Sequence, residues 1–82
     1  MRVYTLQVGK ELNIKELREL SQAAGAFQSD IFLYLQNETV KIDVKSLLGL
    51  LLQIIPAGTL ATIKTIGTDE SEALESMIAM IQ

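Results

Sequence analysis

The chain has 82 residues, of which 49% are hydrophobic and 21% are charged, and its net charge at neutral pH is −3. This size and composition predict one small globular domain, residues 1–82, rather than a disordered chain. The chain has neither cysteine nor histidine, which excludes disulfide frameworks, zinc fingers and Ser-His or Cys-His catalysis. The negative charge and the scattered Lys and Arg residues argue against nucleic-acid binding.

Metal and membrane functions are also not expected. No stretch has the spacing of a calcium-binding loop, so we expect no metal and no cofactor. The longest apolar run, Leu47–Ile55, is far shorter than the about 20 residues that a membrane helix needs. The first residues look like a strand rather than a signal peptide, so we expect a cytoplasmic protein with no membrane contact.

The first two predicted elements are a strand and a helix. Apolar and polar residues alternate over Val3–Val8, which is typical of a strand. Asn13 followed three residues later by Glu16 is a capping-box pattern, which predicts that a helix begins after Asn13. Gly25 marks its end. Its apolar positions recur at helical spacing: Leu17, Leu20, Ala24 and Phe27.

The middle of the chain predicts two strands and a short helix. Asp30–Gln36 and Thr39–Val44 alternate and are joined by a turn. Ser46 is a preferred N-cap residue, so it predicts the start of a helix. This helix is almost wholly apolar and must be buried or meet a partner. Pro56 stops it.

The last two predicted elements are again a strand and a helix. Thr59–Ile66 is rich in Thr and Ile, as strands are. Asp69 with Glu72 has capping-box spacing, which predicts the start of the last helix. The apolar stripe of this helix is formed by Leu74, Met77, Ile78 and Ile81.

The resulting order is βαββαβα, which predicts an α+β open sandwich with three helices on one face of a four-stranded sheet. The residues expected to face the helices are Tyr4, Leu6, Ile31, Leu33, Leu35, Ala61 and Ile63. The residues expected on the opposite face are Phe32, Tyr34, Leu60 and Ile66, beside Thr5, Thr62 and Lys64. This face is apolar for a surface in water, so one hypothesis is a homodimer in which a second copy covers it.

The order of elements and two motifs resemble HPr, the histidine-containing phosphocarrier protein of the bacterial sugar phosphotransferase system. Lys45–Gly49 matches the family motif K-S-[IL]-[ML]-G at the start of its short middle helix. Gly67–Leu74 matches the motif G-x-D-E-x-x-A-[LI] at the start of its last helix. The resemblance covers nearly the whole chain and implies an HPr-like open-faced sandwich with an antiparallel sheet.

The chain departs from this family at the first helix. Asn13 stands in the place of the histidine that carries the phosphoryl group, Lys15 in that of the arginine and Glu16 in that of the proline. Asparagine has no nucleophilic ring nitrogen, so we expect no phosphocarrier activity, no catalytic residue and no enzyme. Two interpretations of Asn13 and Lys15 stay open: an ordinary helix cap, or a retained anion-binding corner.

The resemblance assigns further roles to the short helix. It implies that Ser46 is the regulatory serine that a bifunctional kinase/phosphorylase modifies in Gram-positive relatives, whereas the alternative is a serine that only caps its helix. It also implies that Leu47, Leu48 and Leu51 contact partner proteins, together with the start of the first helix. The alternative is that leucines of this helix fill the core, as we expect for Leu50.

The resulting hypothesis is a protein-binding regulatory domain, similar to the HPr homologues that lack the histidine and act in carbon catabolite control through the serine. Its partner would bind at the Ser46 helix. The alternative is a structural domain that forms homodimers through the open sheet face without phosphorylation.

Overall fold

Four strands and three helices follow one another in the predicted order βαββαβα in the computed structural model, which describes residues 1–82. Their bounds are β1 Arg2–Gln7, α1 Ile14–Ala24, β2 Asp30–Leu35, β3 Val40–Asp43, α2 Leu47–Leu51, β4 Leu60–Ile66 and α3 Glu70–Ile81. The three helices cover one face of the sheet, so the fold is the predicted α+β open-faced sandwich.

The sheet has the strand order β1-β4-β2-β3, and every neighbouring pair is antiparallel. Ile63 of β4 lies opposite Tyr4 on one side and opposite Leu33 on the other, and Leu33 lies opposite Ile42. Residues opposite each other in an antiparallel pair share a face. This row therefore runs across all four strands beneath the helices.

The core lies between this face and the helices. Ile31, Leu33 and Ile63 are completely buried, together with Leu50 of α2 and Met77 of α3. Tyr4 lies in the predicted row but is 44% exposed, because β1 is an edge strand and only Leu6 of its six residues is buried. The core is therefore thick under β2 and β4 and thin under β1.

A single bridge joins the start of α1 to the segment after α2. The backbone N–H of Leu12 donates to the carbonyl of Ile55 at 3.0 Å, and both side chains are buried. A buried backbone pair of this kind fixes the two segments relative to each other. The bridge therefore holds the first turn of α1 beside the end of α2.

Asp69 is the N-cap residue of α3, but its side chain makes no hydrogen bond to the helix. Its carboxylate accepts hydrogen bonds from the backbone N–H groups of Gln28 and Ser29, both at 2.9 Å, and from the Ser29 hydroxyl. The predicted capping box of Asp69 and Glu72 is therefore wrong. Ser29 is almost fully buried, and its N–H needs an acceptor that the distant carboxylate supplies.

The turn between β2 and β3 holds three consecutive residues in the left-handed conformation. The φ angles of Gln36, Asn37 and Glu38 are 52°, 55° and 68°. The N–H and hydroxyl of Thr39 close the turn by donating to the Gln36 carbonyl at 3.1 and 2.7 Å. Left-handed backbone is unfavourable for residues with a Cβ, and of these three only asparagine tolerates it well.

Replacing Glu38 by glycine is expected to raise the free energy of unfolding by about 0.5–1 kcal/mol, because glycine adopts positive φ without a Cβ clash. In α3 the same change, Glu75→Gly, is expected to lower it by about 1 kcal/mol. Urea denaturation measures both. A Glu38→Gly variant less stable than the parent would contradict the strain assigned to this turn.

The hydrogen bonds of Asp69 predict a pH effect. The Ser29 hydroxyl and then the Gln28 N–H hold the pKa of this carboxyl below its ordinary value of 3.8. The ionised group therefore stabilises the fold above that value, and the contribution is lost as the pH falls through the lower folded pKa. We expect Asp69→Asn and Ser29→Ala to lose less stability than the parent between about pH 6 and about pH 3. Equal losses in urea titrations would contradict this.

Candidate binding surface around the second helix

Ser46 is the N-cap of α2. Its backbone is extended, with φ −92° and ψ 99°, and its hydroxyl accepts a hydrogen bond from the N–H of Gly49 at 3.3 Å. Its carbonyl accepts the N–H of Leu50 at 3.1 Å. The residue is half-buried, so its hydroxyl sits at the edge of the molecule, where serine is a preferred cap.

The leucines of α2 divide between the core and the surface. Leu50 is completely buried, whereas Leu48 is 74% exposed and Leu51 is 38% exposed. Leu47 is half-buried. A five-residue helix turns little more than once, so it has one inward position and leaves its other side chains outside.

Three further apolar side chains extend this exposed area. Leu52 and Ile54 follow α2 and are 77% and 87% exposed, and Ile14 at the start of α1 is 63% exposed. We call Leu48, Leu51, Leu52, Ile54 and Ile14 the α2 surface. An adjoining groove of about 300 Å³ lies between α1 and the segment after α2. Contiguous exposed apolar residues of this kind mark interaction sites.

Ile14 is the member of this surface that was not predicted by residue, although the resemblance implied partner contacts at the start of the first helix. It is the first residue of α1 and lies outside the predicted apolar stripe of that helix. The Leu12–Ile55 bridge brings it close to α2, and Ile14 and Ile54 line the same groove. The available sequence signal was an isoleucine at the start of a helix and outside its apolar stripe, which suggests an exposed apolar residue. Which residues lie next to it depends on the tertiary fold.

Asn13 caps α1 as predicted. Its side-chain oxygen accepts the N–H of Glu16 at 3.1 Å. The return bond expected from the Glu16 carboxylate is not formed, and that carboxylate lies 3.9 Å from the ammonium of Lys10. Lys15 is exposed, whereas Asn13 lines the groove. The structure therefore places Asn13 next to the α2 surface. Lys15 does not line the groove.

Lys45 anchors the segment that leads into Ser46. Its ammonium donates to the carbonyl of Phe27 at 2.7 Å, just past the end of α1. Its own carbonyl accepts the hydroxyl of Ser21 at 3.3 Å, and its N–H donates to the Asp43 carboxylate at 3.0 Å. These contacts fix the backbone before α2 to α1 and β3.

The open sheet face differs from the α2 surface in its charge. Lys41 lies over the ring of Phe32 at 4.3 Å, and Lys64 lies over that of Tyr34 at 5.1 Å. Leu60 and Ile66 of this face are 56% and 43% exposed. Lysine stems cover apolar area while the ammonium groups stay in water, so the rings of this face are already partly shielded.

Comparisons with known proteins identify the class. A family model described as "PTS HPr component phosphorylation site" matches residues 2–82. The HPr-like protein Crh of Halalkalibacterium halodurans is 39% identical over 61 residues, which span 74% of this chain and 70% of that protein. The fold, with helices on one face of a four-stranded antiparallel sheet, is thus that of a phosphotransferase-system domain. The chain belongs to the HPr family.

Solved structures agree with this assignment. The phosphocarrier protein HPr of Bacillus anthracis superposes with a TM-score of 0.90 at 30% identity, covering 99% of this chain and 96% of that one. Crh of Bacillus subtilis superposes with a TM-score of 0.73 at 35% identity, covering 92% and 82%. The latter is described as a catabolite repression containing protein with a swapping domain in its dimer.

The structure shows neither a cluster of metal ligands nor a helix that could cross a membrane. No group of three or more acidic, Cys or His residues is placed to hold a metal ion. The longest helix, α3, has 12 residues, and none of the helices has the length and apolar character to cross a membrane.

The unequal burial of the α2 leucines predicts unequal costs of truncation. Leu50→Ala removes a buried side chain and is expected to lower the free energy of unfolding by about 2–5 kcal/mol. Leu48→Ala is expected to change it by less than about 0.5 kcal/mol, because the side chain is mostly in water. Urea denaturation compares the two variants. A large loss for Leu48→Ala would assign that residue to the core.

Proposed function

We propose that this HPr-family protein is a regulatory domain that binds a protein partner through the α2 surface and carries no phosphoryl group on a histidine. The observation that carries the proposal is the exposed apolar cluster around α2, beside the half-buried hydroxyl of Ser46. Covering such a cluster with a partner contributes roughly 25 cal/mol for each Å² of apolar surface removed from water.

The residues present do not favour the phosphocarrier step. The chain has no histidine, and Asn13, in the position that the resemblance assigns to the carrier, offers an amide that is not a nucleophile. Its oxygen is already occupied as the cap of α1. Glu16 adds a carboxylate in the first turn, where a phosphate would be repelled. The proposal therefore includes no enzymatic activity and no cofactor.

Phosphorylation of Ser46 would regulate the same surface. A kinase would transfer the terminal phosphoryl group of a nucleoside triphosphate to Oγ, releasing the diphosphate while a base takes the hydroxyl proton. The phosphoester brings about −1.5 to −2 charges and three acceptor oxygens. They would lie at the N–H groups that begin α2, next to Leu47 and Leu48. One surface would then present apolar side chains and an anion to the partner.

The similarity to Crh supports a regulatory role. The Bacillus subtilis relative is described as a catabolite repression containing protein. By analogy we propose that this chain acts in bacterial carbon catabolite control in the cytoplasm. The competing role is a structural homodimer, which the swapped dimer of that relative favours. A dimer through the open sheet face would have to bring the lysines of two copies together, which costs free energy.

The test uses the purified chain and an HPr kinase of a Gram-positive bacterium. The parent should gain the mass of one phosphoryl group, and Ser46→Ala should gain none. Affinity for a purified catabolite-control regulator should rise on phosphorylation. Leu48→Glu should weaken this binding at least about tenfold, as loss of a central apolar contact does. The matched control is Leu60→Glu on the open sheet face, which should leave the affinity unchanged.

Two results would contradict the proposal. The first is an unmodified mass under conditions that modify HPr. The second is binding that is equal for the parent and Leu48→Glu. Light scattering tests the competing role, because a dimer that Leu60→Glu dissociates would assign assembly to the open sheet face.

A further inference from the structure

The α2 surface lies in a stretch of the chain that carries no charge. From Ser46 to Ile63 no residue is charged, although 21% of all residues in the chain are. Of the nine residues that line the adjoining groove, only Glu11 is charged. Charged groups give an interface much of its specificity and steer the approach of a partner. The α2 surface therefore offers apolar area and shape but almost no charge.

This lack of charge suits a contact between two copies of the chain. In a two-fold dimer the same patch of both copies forms the interface, so a charge near the axis meets an identical charge. Like charges brought together in an interface cost free energy. The open sheet face carries Lys41 and Lys64, whereas the five side chains of the α2 surface are all aliphatic. A second copy can therefore cover the α2 surface without opposing like charges.

The exposed area is sufficient for a specific contact. Leu52 and Ile54 are 77% and 87% exposed, and Leu48 and Ile14 are 74% and 63% exposed. With Leu51, these side chains expose on the order of 500 Å² in each copy and on the order of 1,000 Å² in a pair, which is the smallest size expected of a biological interface. One apolar patch of this area is also at the upper end of what a monomer exposes. We therefore expect a weak dimer rather than an obligate one.

The α2 surface combines projecting side chains with a groove. Leu48 and Leu52 stand out into solvent. The groove of about 300 Å³ between α1 and the segment after α2 is lined in part by Leu17, Leu51 and Ile55. Because Leu51 lines the groove and directly precedes Leu52, the projection and the groove adjoin. A two-fold axis beside them can place the projection of each copy against the groove of the other.

We propose that the α2 surface binds a second copy of this chain, so that the protein covers its own partner-binding surface. Leu48 and Leu52 of each copy would pack against the groove of the other. Self-association and partner binding then exclude each other, because both use the same side chains. The inference rests on the proposed function for the partner and for phosphorylation, whereas the contact between copies needs neither a kinase nor a regulator.

A phosphoryl group on Ser46 would open this dimer. Ser46 is the half-buried N-cap residue directly before Leu47 and Leu48. In a two-fold contact both copies would bring a phosphoserine of about −1.5 to −2 charges to the same interface. Charges within about 10 Å of each other are only partly screened at physiological ionic strength, so the two groups would repel. Phosphorylation would therefore uncover the α2 surface for the partner.

The test measures self-association of the purified chain alone, by sedimentation velocity and ¹⁵N NMR between about 10 μM and about 1 mM. The monomer should convert to a dimer over this range, with concentration-dependent shifts at the amides of Leu48 and Ile54 and none at Ile66. Leu52→Glu should weaken self-association at least about tenfold, because the substitution enters a two-fold interface twice. Leu60→Glu places the same charge on an exposed leucine of the open sheet face and, as the matched control, should leave self-association unchanged.

Two variants of Ser46 test the effect of charge. Asparagine and aspartate are both preferred N-cap residues, so Ser46→Asn and Ser46→Asp should both keep α2 folded. Ser46→Asp should weaken self-association at least about threefold at low ionic strength, and added salt should reduce this effect. Ser46→Asn, which has the same shape without the charge, should associate as the parent does.

Three results would overturn the contact between copies. The first is a chain that stays monomeric up to about 1 mM. The second is a dimer that persists in Leu52→Glu, as a dimer formed by exchange of segments would. The third is a set of concentration-dependent shifts on the open sheet face. Equal association of Ser46→Asp and Ser46→Asn would overturn the control by phosphorylation. None of these results contradicts the proposed function, which fails instead if the monomeric phosphorylated chain does not bind the regulator.

Discussion

The short helix α2 is held to the rest of the fold by the side chain of Leu50, its one fully buried residue. Because five residues make little more than one turn, this anchor determines where every neighbour lies. Leu48 and Leu51 are turned towards solvent, and Ser46 reaches the molecular edge as the cap. The Leu12–Ile55 bridge then places the start of α1 beside them. The α2 surface follows from one buried leucine and one backbone pair.

Most of the fold could be predicted from the sequence because its signals are local. Alternation marks the four strands, and an apolar period near 3.6 marks α1 and α3. The errors involve partners distant in the chain. Asp69 has the spacing of a capping residue but binds the segment before β2. Tyr4 alternates like a core residue but lies on an edge strand, and edge position depends on the strand order.

The residues of the candidate site likewise divide into those that local signals predict and those whose position depends on the tertiary fold. Asn13 and Ser46 could be predicted as caps because each bonds to a backbone N–H three residues ahead. Ile14 could not be assigned to the surface, because only the folded chain brings it beside Ile54. The position of the Glu16 carboxylate could not be predicted either. Its capping-box position indicated a return bond to Asn13, whereas in the folded chain it lies 3.9 Å from the ammonium of Lys10.

The chain combines the fold of the HPr family with a sequence that contains no histidine. Asn13 and Glu16 form the cap and the first turn of α1. The most direct measurement is the intact mass of the chain after incubation with phosphoenolpyruvate and the general phosphotransferase enzyme, with an HPr as positive control. The account predicts an unchanged mass. A labile phosphoryl group on this chain would contradict it.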